Sequence, residues 1–308
     1  MTGACSGRLP YLGLLRVTGA DAAGFLQGQV SNDTGRLAEG SALLCAYSNA
    51  QGRVLAVMNL LPHSTGIVAI LPAELLATTA AQLRKFILRS KVRIEEAAAD
   101  LVVAGTCGAA ALRAAGLPVP DGRMGYQEAQ GIGIARVNDS AERYWVIGAP
   151  AQLDALGPDA TIDAGSAWRL ADIRAGLPQV YAGTSEAFVA QMLNLDLIDG
   201  ISFTKGCYTG QEIVARTQHL GRIKRRMFRV AVGGGACGVP GVGAIVHLAD
   251  GRSGRVTEAA RSESGYEALA VLPIDAAAPG PDPAAAAPAA SRIAATLLTL
   301  PYSLNGAP

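Results

Sequence analysis

Short apolar runs broken by turn residues organise the first half of the chain. Positions 14–17 predict a strand ending at Gly19. Positions 21–29 predict a helix with Asp21 near its N-terminus, where negative charge is favourable, and with Phe25 and Leu26 toward the core. Two strands, 43–47 and 54–60, are joined through Asn49-Ala50-Gln51-Gly52, a turn composition. A strand at 66–71 follows. Leu75, Leu76, Leu83, Phe86 and Ile87 fall at roughly helical spacing and predict a helix over 73–88, before a strand at 92–94. Strand-like segments at 101–106, 131–137 and 143–147 are accompanied by short helices at 109–115 and 151–156.

Trp168 opens a helical run that stops at Gly176-Leu177-Pro178. Ser185 is placed to cap another helix, in which Phe188, Met192 and Leu195 stand at i, i+4 and i+7. Beyond position 223 the pattern changes. Strands are expected at 227–232, 244–248, 254–259, 268–272 and 292–300, with Asp250-Gly251 as a two-residue hairpin turn. Close spacing of short strands predicts a small antiparallel barrel. Positions 275–290 are rich in Ala and Pro and read as a disordered loop between its last two strands. The fold class is α+β, divided into 1–223 and 224–308.

Composition narrows the function classes. The chain has 308 residues, half of them hydrophobic, enough for two domains or for one large one with an appendage. A net charge of +1 argues against a general nucleic-acid binder and leaves specific RNA contact open. Cys5, Cys45, Cys107, Cys207 and Cys237 form no C-x-x-C pair and have no His at ligand spacing. That pattern predicts a reduced, cytoplasmic protein without structural zinc or another metal. No signal-peptide pattern opens the chain and no apolar run reaches spanning length, so a soluble protein is expected, with no membrane contact. Gly131-Ile132-Gly133 lacks the third glycine and the following helix of a dinucleotide fingerprint.

The stretch with the most chemistry is Lys205-Gly206-Cys207-Tyr208-Thr209-Gly210-Gln211-Glu212. Thr209 and Glu212 have capping-box spacing, and Ile213, Val214 and Ala215 supply the apolar side of the helix that would follow. Cys207 would then precede a helix N-terminus beside Lys205, and both favour thiolate over thiol. Such a cysteine can be a nucleophile or sulfur donor. The alternative is a small buried residue in a tight turn.

This motif, with Val214-Ala215-Arg216, resembles the signature of the YgfZ family, folate-binding proteins related to the glycine-cleavage T-protein that support iron–sulfur enzymes. Gly19 to Ala22, Phe25 to Asp33, Trp168 to Pro178, Phe188 to Leu195, Gly221 to Arg225 and Leu300 to Leu304 resemble further family segments, with Ala190 where a proline is usual. The resemblance implies two mixed α/β subdomains around a folate pocket, followed by the small barrel. It implies assembly or repair of iron–sulfur clusters in client enzymes, including tRNA-modifying ones. Cys207 would be the reactive thiol, tuned by Lys205 and lying beside bound tetrahydrofolate or another folate form. Gly206 would let the backbone approach the ligand, and Trp168, Leu12, Tyr208 and Gln211 would contribute to binding it. A monomer is expected.

Two departures bear on activity. Ala56 and Val57 stand where the T-protein carries aspartates, and neither can act as an acid or base. Arg174 replaces its pterin-binding glutamate and has no acceptor atom. Arg84, Lys85, Arg89, Lys91 and Arg93 form a basic cluster. It reads as a solvated face, or as a landing strip for a polyglutamate tail or RNA phosphate. A tetrahydrofolate-dependent aminomethyl- or methyltransferase is the alternative function. A tRNA-binding adaptor without chemistry is a third, kept open by Arg216, Arg222, Lys224, Arg225 and Arg226.

Overall fold

The structure is a computed structural model describing residues 6–138, 141–155, 164–219, 221–233, 238–275 and 293–304. Its elements follow the apolar pattern closely. They are β1 (Gly7–Arg8), β2 (Leu12–Thr18), α1 (Ala22–Gln27), β3 (Leu43–Ser48), β4 (Val54–His63), β5 (Gly66–Pro72), α2 (Leu76–Arg84) and β6 (Arg93–Glu96). Then come β7 (Val102–Cys107), α3 (Ala110–Ala114), β8 (Tyr126–Ala129), β9 (Ile132–Arg136), β10 (Arg143–Gly148), α4 (Pro150–Ala155), α5 (Ala164–Ala175) and α6 (Gln211–His219). The last five are β11 (Arg225–Gly233), β12 (Ile245–Leu248), β13 (Ser253–Ser262), β14 (Gly265–Pro273) and β15 (Ile293–Leu298).

Three sheets result. The first is five-stranded in the order β3-β4-β5-β2-β6, and the second has the order β1-β7-β10-β9-β8. The third closes on itself, β11-β14-β13-β12-β15. One of its pairs, β12 with β15, is parallel, unlike the all-antiparallel arrangement expected. The chain leaves β14 and returns as β15 between β11 and β12, which sets that direction. Apart from Asp275, the stretch read as a disordered loop lies outside the described residues. Among the described residues, no helix is long and apolar enough to cross a membrane.

The main core joins all three sheets. It runs from both sides of β4 through Trp145 and Trp168 to Met227, Leu269 and Val271 of the closed sheet. A second cluster fills the closed sheet around Val230, Val256 and Ala270. A third packs α3 and α4 onto β10 through Leu112, Tyr144 and Leu153.

Several local readings are corrected. The helix expected from 185 is a 3₁₀ turn at Ala190–Leu193 that ends at left-handed Asn194. Backbone pairing prevails there: Val54 N–H donates to Phe188 O at 2.8 Å, and Glu186 N–H donates to Val54 O at 2.8 Å. Ser185 is not the N-cap of that turn, a position held by Val189, and its hydroxyl donates to Leu55 O at 3.0 Å. Asp21 does stand at the N-terminus of α1, as expected, without a side-chain cap bond; its carboxylate accepts from Lys91 N–H at 2.7 Å. Helix α2 stops at Arg84 rather than 88. Cys107 is disulfide-bonded, so not all the cysteines are reduced thiols. That pairing is made in space and is not encoded by spacing along the chain.

Candidate functional site

The 205–212 motif is first of all a structural clamp. Burial lowers the pKa of Lys205 to about 8. Its ammonium donates to three main-chain carbonyls, Gln27 O at 2.8 Å, Val30 O at 2.7 Å and Asn32 O at 2.8 Å. All three of its protons are thereby used, so it fastens the segment after α1 rather than hydrogen-bonding to Cys207. Its ammonium also lies 5.0 Å from the Tyr208 ring centroid. The α6 end of the motif sits on the β3–β4 turn. A Cβ on Gly210 would lie 2.5 Å from Asn49 O, and one on Gly52 would lie 2.8 Å from Ile213. The Thr209–Glu212 capping box is not formed among the described hydrogen bonds. Gln211 closes the turn, its side-chain oxygen accepting from Tyr208 N–H at 3.3 Å.

Cys207 itself is exposed and free. Next to it, a Cβ on Gly206 would meet nothing within 4 Å, so the surface there is open. Among the described residues the other free thiol is Cys45, which is buried, and desolvation pushes its pKa up to about 12. Only Cys207 of the two can react with something arriving from solution.

The enclosed site lies elsewhere, where the three sheets meet. Leu12 from β2, Asn59 from β4, Trp145 from β10, Asp172 from α5 and Glu258 from β13 line one small cavity, together with Tyr11 and Gln179. Its interior volume is about 30 Å³, enough for about one or two waters. Tyr11 and Glu258 also line an open cleft of about 620 Å³ that contains Arg169, Tyr181 and Glu74. The cavity and the cleft therefore share a wall.

That wall is charged and aromatic. The Arg169 guanidinium lies 4.1 Å from the Tyr11 ring centroid and 5.8 Å from that of Tyr181. Tyr181 OH donates to Glu258 at 2.6 Å. Desolvation raises Glu258 to about 7. Asp172 is raised as well, first by desolvation, against the opposing pull of Arg143 at 2.7 Å. Among the described residues, Trp145 Nε1, Tyr11 OH and Arg169 Nε have no hydrogen-bond partner. The nearest carboxylate to that arginine nitrogen is Glu258 at 3.7 Å, too long for a hydrogen bond.

The structure thus divides the residues singled out from sequence. Leu12 lines the cavity, whereas Lys205, Gly206, Cys207, Tyr208 and Gln211 do not. Trp168 stands behind the wall rather than on it. It is fully buried, and its ring lies so close over β7 that a Cβ on Gly105 would meet it at 2.3 Å. Arg174 points to the closed sheet and pairs with Glu263 at 2.6 Å and Glu267 at 2.8 Å. The basic cluster around Arg89 lines neither space. Sequence reasoning missed Trp145, Asp172 and Glu258. The one available signal was Glu258, a carboxylate directly before Ala259 and Ala260 in the middle of β13.

Together these features define a three-sheet fold with a ligand-sized entrance and a polar inner end. No family model matches the chain. The glycine-cleavage aminomethyltransferase T of Bartonella henselae superposes on 89% of the chain and 80% of its own length, with a TM-score of 0.66 at 18% identity, and so shares the fold. Curated relatives are closer in sequence. The tRNA-modifying protein YgfZ of Pectobacterium carotovorum is 32% identical over 82% of this chain and 78% of its own length. The protein of that name from Yersinia pestis is 33% identical over 75% and 71%. The chain belongs to the YgfZ family.

Proposed function

We propose that this chain binds a folate in the cavity and cleft and supports assembly or repair of iron–sulfur clusters in client enzymes, tRNA-modifying ones among them. The observation that carries the folate reading is the convergence of buried carboxylates and unpartnered donors where three sheets meet. Asp172, Glu258 and Asn59 can accept from the N–H groups of a pterin edge, and Trp145 Nε1 can donate to its carbonyl. Arg169, in the cleft, suits a glutamate carboxylate. The donor set fits a folate. The enclosed volume does not hold a bicyclic ring until Tyr11 and Glu258 move aside, so the cleft is the way in. A bound folate would bring a one-carbon carrier or a reducing pterin to this site.

Cys207 would act separately, as an exposed thiol that meets the client at the protein surface. The tRNA link rests on the names of the relatives, and the iron–sulfur role on the family resemblance. Aminomethyl transfer is disfavoured. Ala56 and Val57 are completely buried, and β4 contributes only Asn59 as a polar group to the cavity. Equilibrium dialysis against tetrahydrofolate, with a parallel assay in a reconstituted glycine-cleavage system, tests the reading. Binding without aminomethyl transfer supports it. Absence of binding removes the folate, and robust transfer replaces the function with that of an aminomethyltransferase.

A further inference from the structure

The basic segment is left unused by the cavity and the cleft, and its geometry suits another task. After α2 ends, positions 85–92 form a turn that is fixed at both ends. The Arg84 guanidinium donates twice to Ile94 O, at 3.2 and 2.6 Å. Lys91 N–H donates to Asp21 at 2.7 Å. The turn presents Phe86, 46% exposed, and Leu88, 88% exposed. Lys85, Arg89 and Lys91 lie in the same turn, all exposed. Arg93 is paired with Glu95 at 2.7 Å, whereas Lys85, Arg89 and Lys91 have no ion pair among the described residues. Two large apolar side chains facing water in one anchored turn mark a contact surface. Three uncommitted cations beside them select an anionic partner.

We propose that the 85–91 turn is a contact surface for RNA. Phosphates would sit at Lys85, Arg89 and Lys91, and an unstacked base or a sugar face would lie against Phe86 and Leu88. The proposal rests on the tRNA link of the proposed function and names the surface that would carry it. A bilayer fits less well. Surface binding to lipid uses a long apolar helix face, and this turn offers only two such side chains. An acidic protein supplies charge, but single-stranded RNA supplies charge and flat faces together.

The test is fluorescence anisotropy of the full chain with a labelled tRNA transcript over a range of salt. Two variants are compared with the parent: the triple Lys85→Glu, Arg89→Glu, Lys91→Glu, and the double Phe86→Ala, Leu88→Ser. All five side chains are exposed, and a thermal melt checks that folding is intact. The triple variant should lose at least about tenfold in affinity, and its log–log salt slope should fall by about two. The double should lose about three- to tenfold with the slope unchanged. Parent-like binding by the triple variant overturns the surface and leaves the tRNA link standing. No binding by the parent overturns both. Charge-dependent binding to vesicles containing anionic phospholipid, with none to tRNA, overturns RNA as the partner.

Discussion

Arg143 spans Trp168 and Asp172. Its guanidinium lies 4.8 Å from the Trp168 ring centroid and donates to the Asp172 carboxylate at 2.7 Å. The buried indole therefore supports the arginine, which in turn holds a cavity carboxylate. Trp168 influences the cavity from behind. The chain has only two tryptophans, so fluorescence separates their roles. Quenching by a folate should persist in Trp168→Phe and disappear in Trp145→Phe. Loss of quenching in Trp168→Phe alone would place the ligand against the wrong indole. Trp168→Ala should cost about 3–5 kcal/mol of stability through the void it leaves, as read from urea unfolding.

Lys205 and Cys207 should separate in the same way. Lys205→Met removes the ammonium that donates to three main-chain carbonyls. It should destabilise the chain by about 3–5 kcal/mol in a denaturant titration. Cys207→Ser, at an exposed position, should stay within about 0.5 kcal/mol of the parent. It should nevertheless fail to restore iron–sulfur enzyme activity in cells lacking the protein. Full restoration would remove the thiol from the mechanism.

Thiol alkylation checks exposure directly. Iodoacetamide on the folded protein should modify Cys207 and spare Cys45, which is buried and held protonated at ordinary pH. Mass spectrometry of the peptides gives the answer, and equal modification of both would contradict the buried position of Cys45.

Glu258 gives the fold a pH dependence of defined sign. Its pKa is about 7 in the fold against an ordinary 4.5, so between those values the folded state binds more protons than the unfolded one. Stability should therefore fall as pH rises from about 4.5 to 7 and level off above, by on the order of 3 kcal/mol from this group. Glu258→Gln should flatten that slope. An unchanged slope in urea titrations at pH 5 and pH 8 would show that the carboxyl is not held protonated.

The strands are largely legible in the sequence because the first sheet is covered on both faces. The whole of 54–61 is buried, and a run of that length that is apolar at every position but Asn59 can be read without any contact information. The helix misread at 185–195 has suitable spacing, but its backbone is engaged by the start of β4, and local spacing cannot report that pairing. The motif around Cys207 is legible as a motif, whereas the work of Lys205 is not. Its three acceptors lie far back in the chain and are carbonyls, which carry no residue-type signal. The cavity has the same character. Trp145, Asp172 and Glu258 come from three separate elements and meet only once the sheets pack. Arg174, two residues after Asp172 on α5, stands where the related T-protein has a glutamate, yet it turns outward to Glu263 and Glu267.

In the proposed function the folate and the Cys207 thiol occupy different places. Calorimetric titration of tetrahydrofolate into the parent, Asp172→Asn and Cys207→Ser tests it most directly. Losing a charged acceptor should weaken binding by about 1.5–3 kcal/mol in Asp172→Asn, while Cys207→Ser should bind as the parent does. Unchanged affinity in Asp172→Asn together with a marked loss in Cys207→Ser would contradict the account and move the folate to the cysteine.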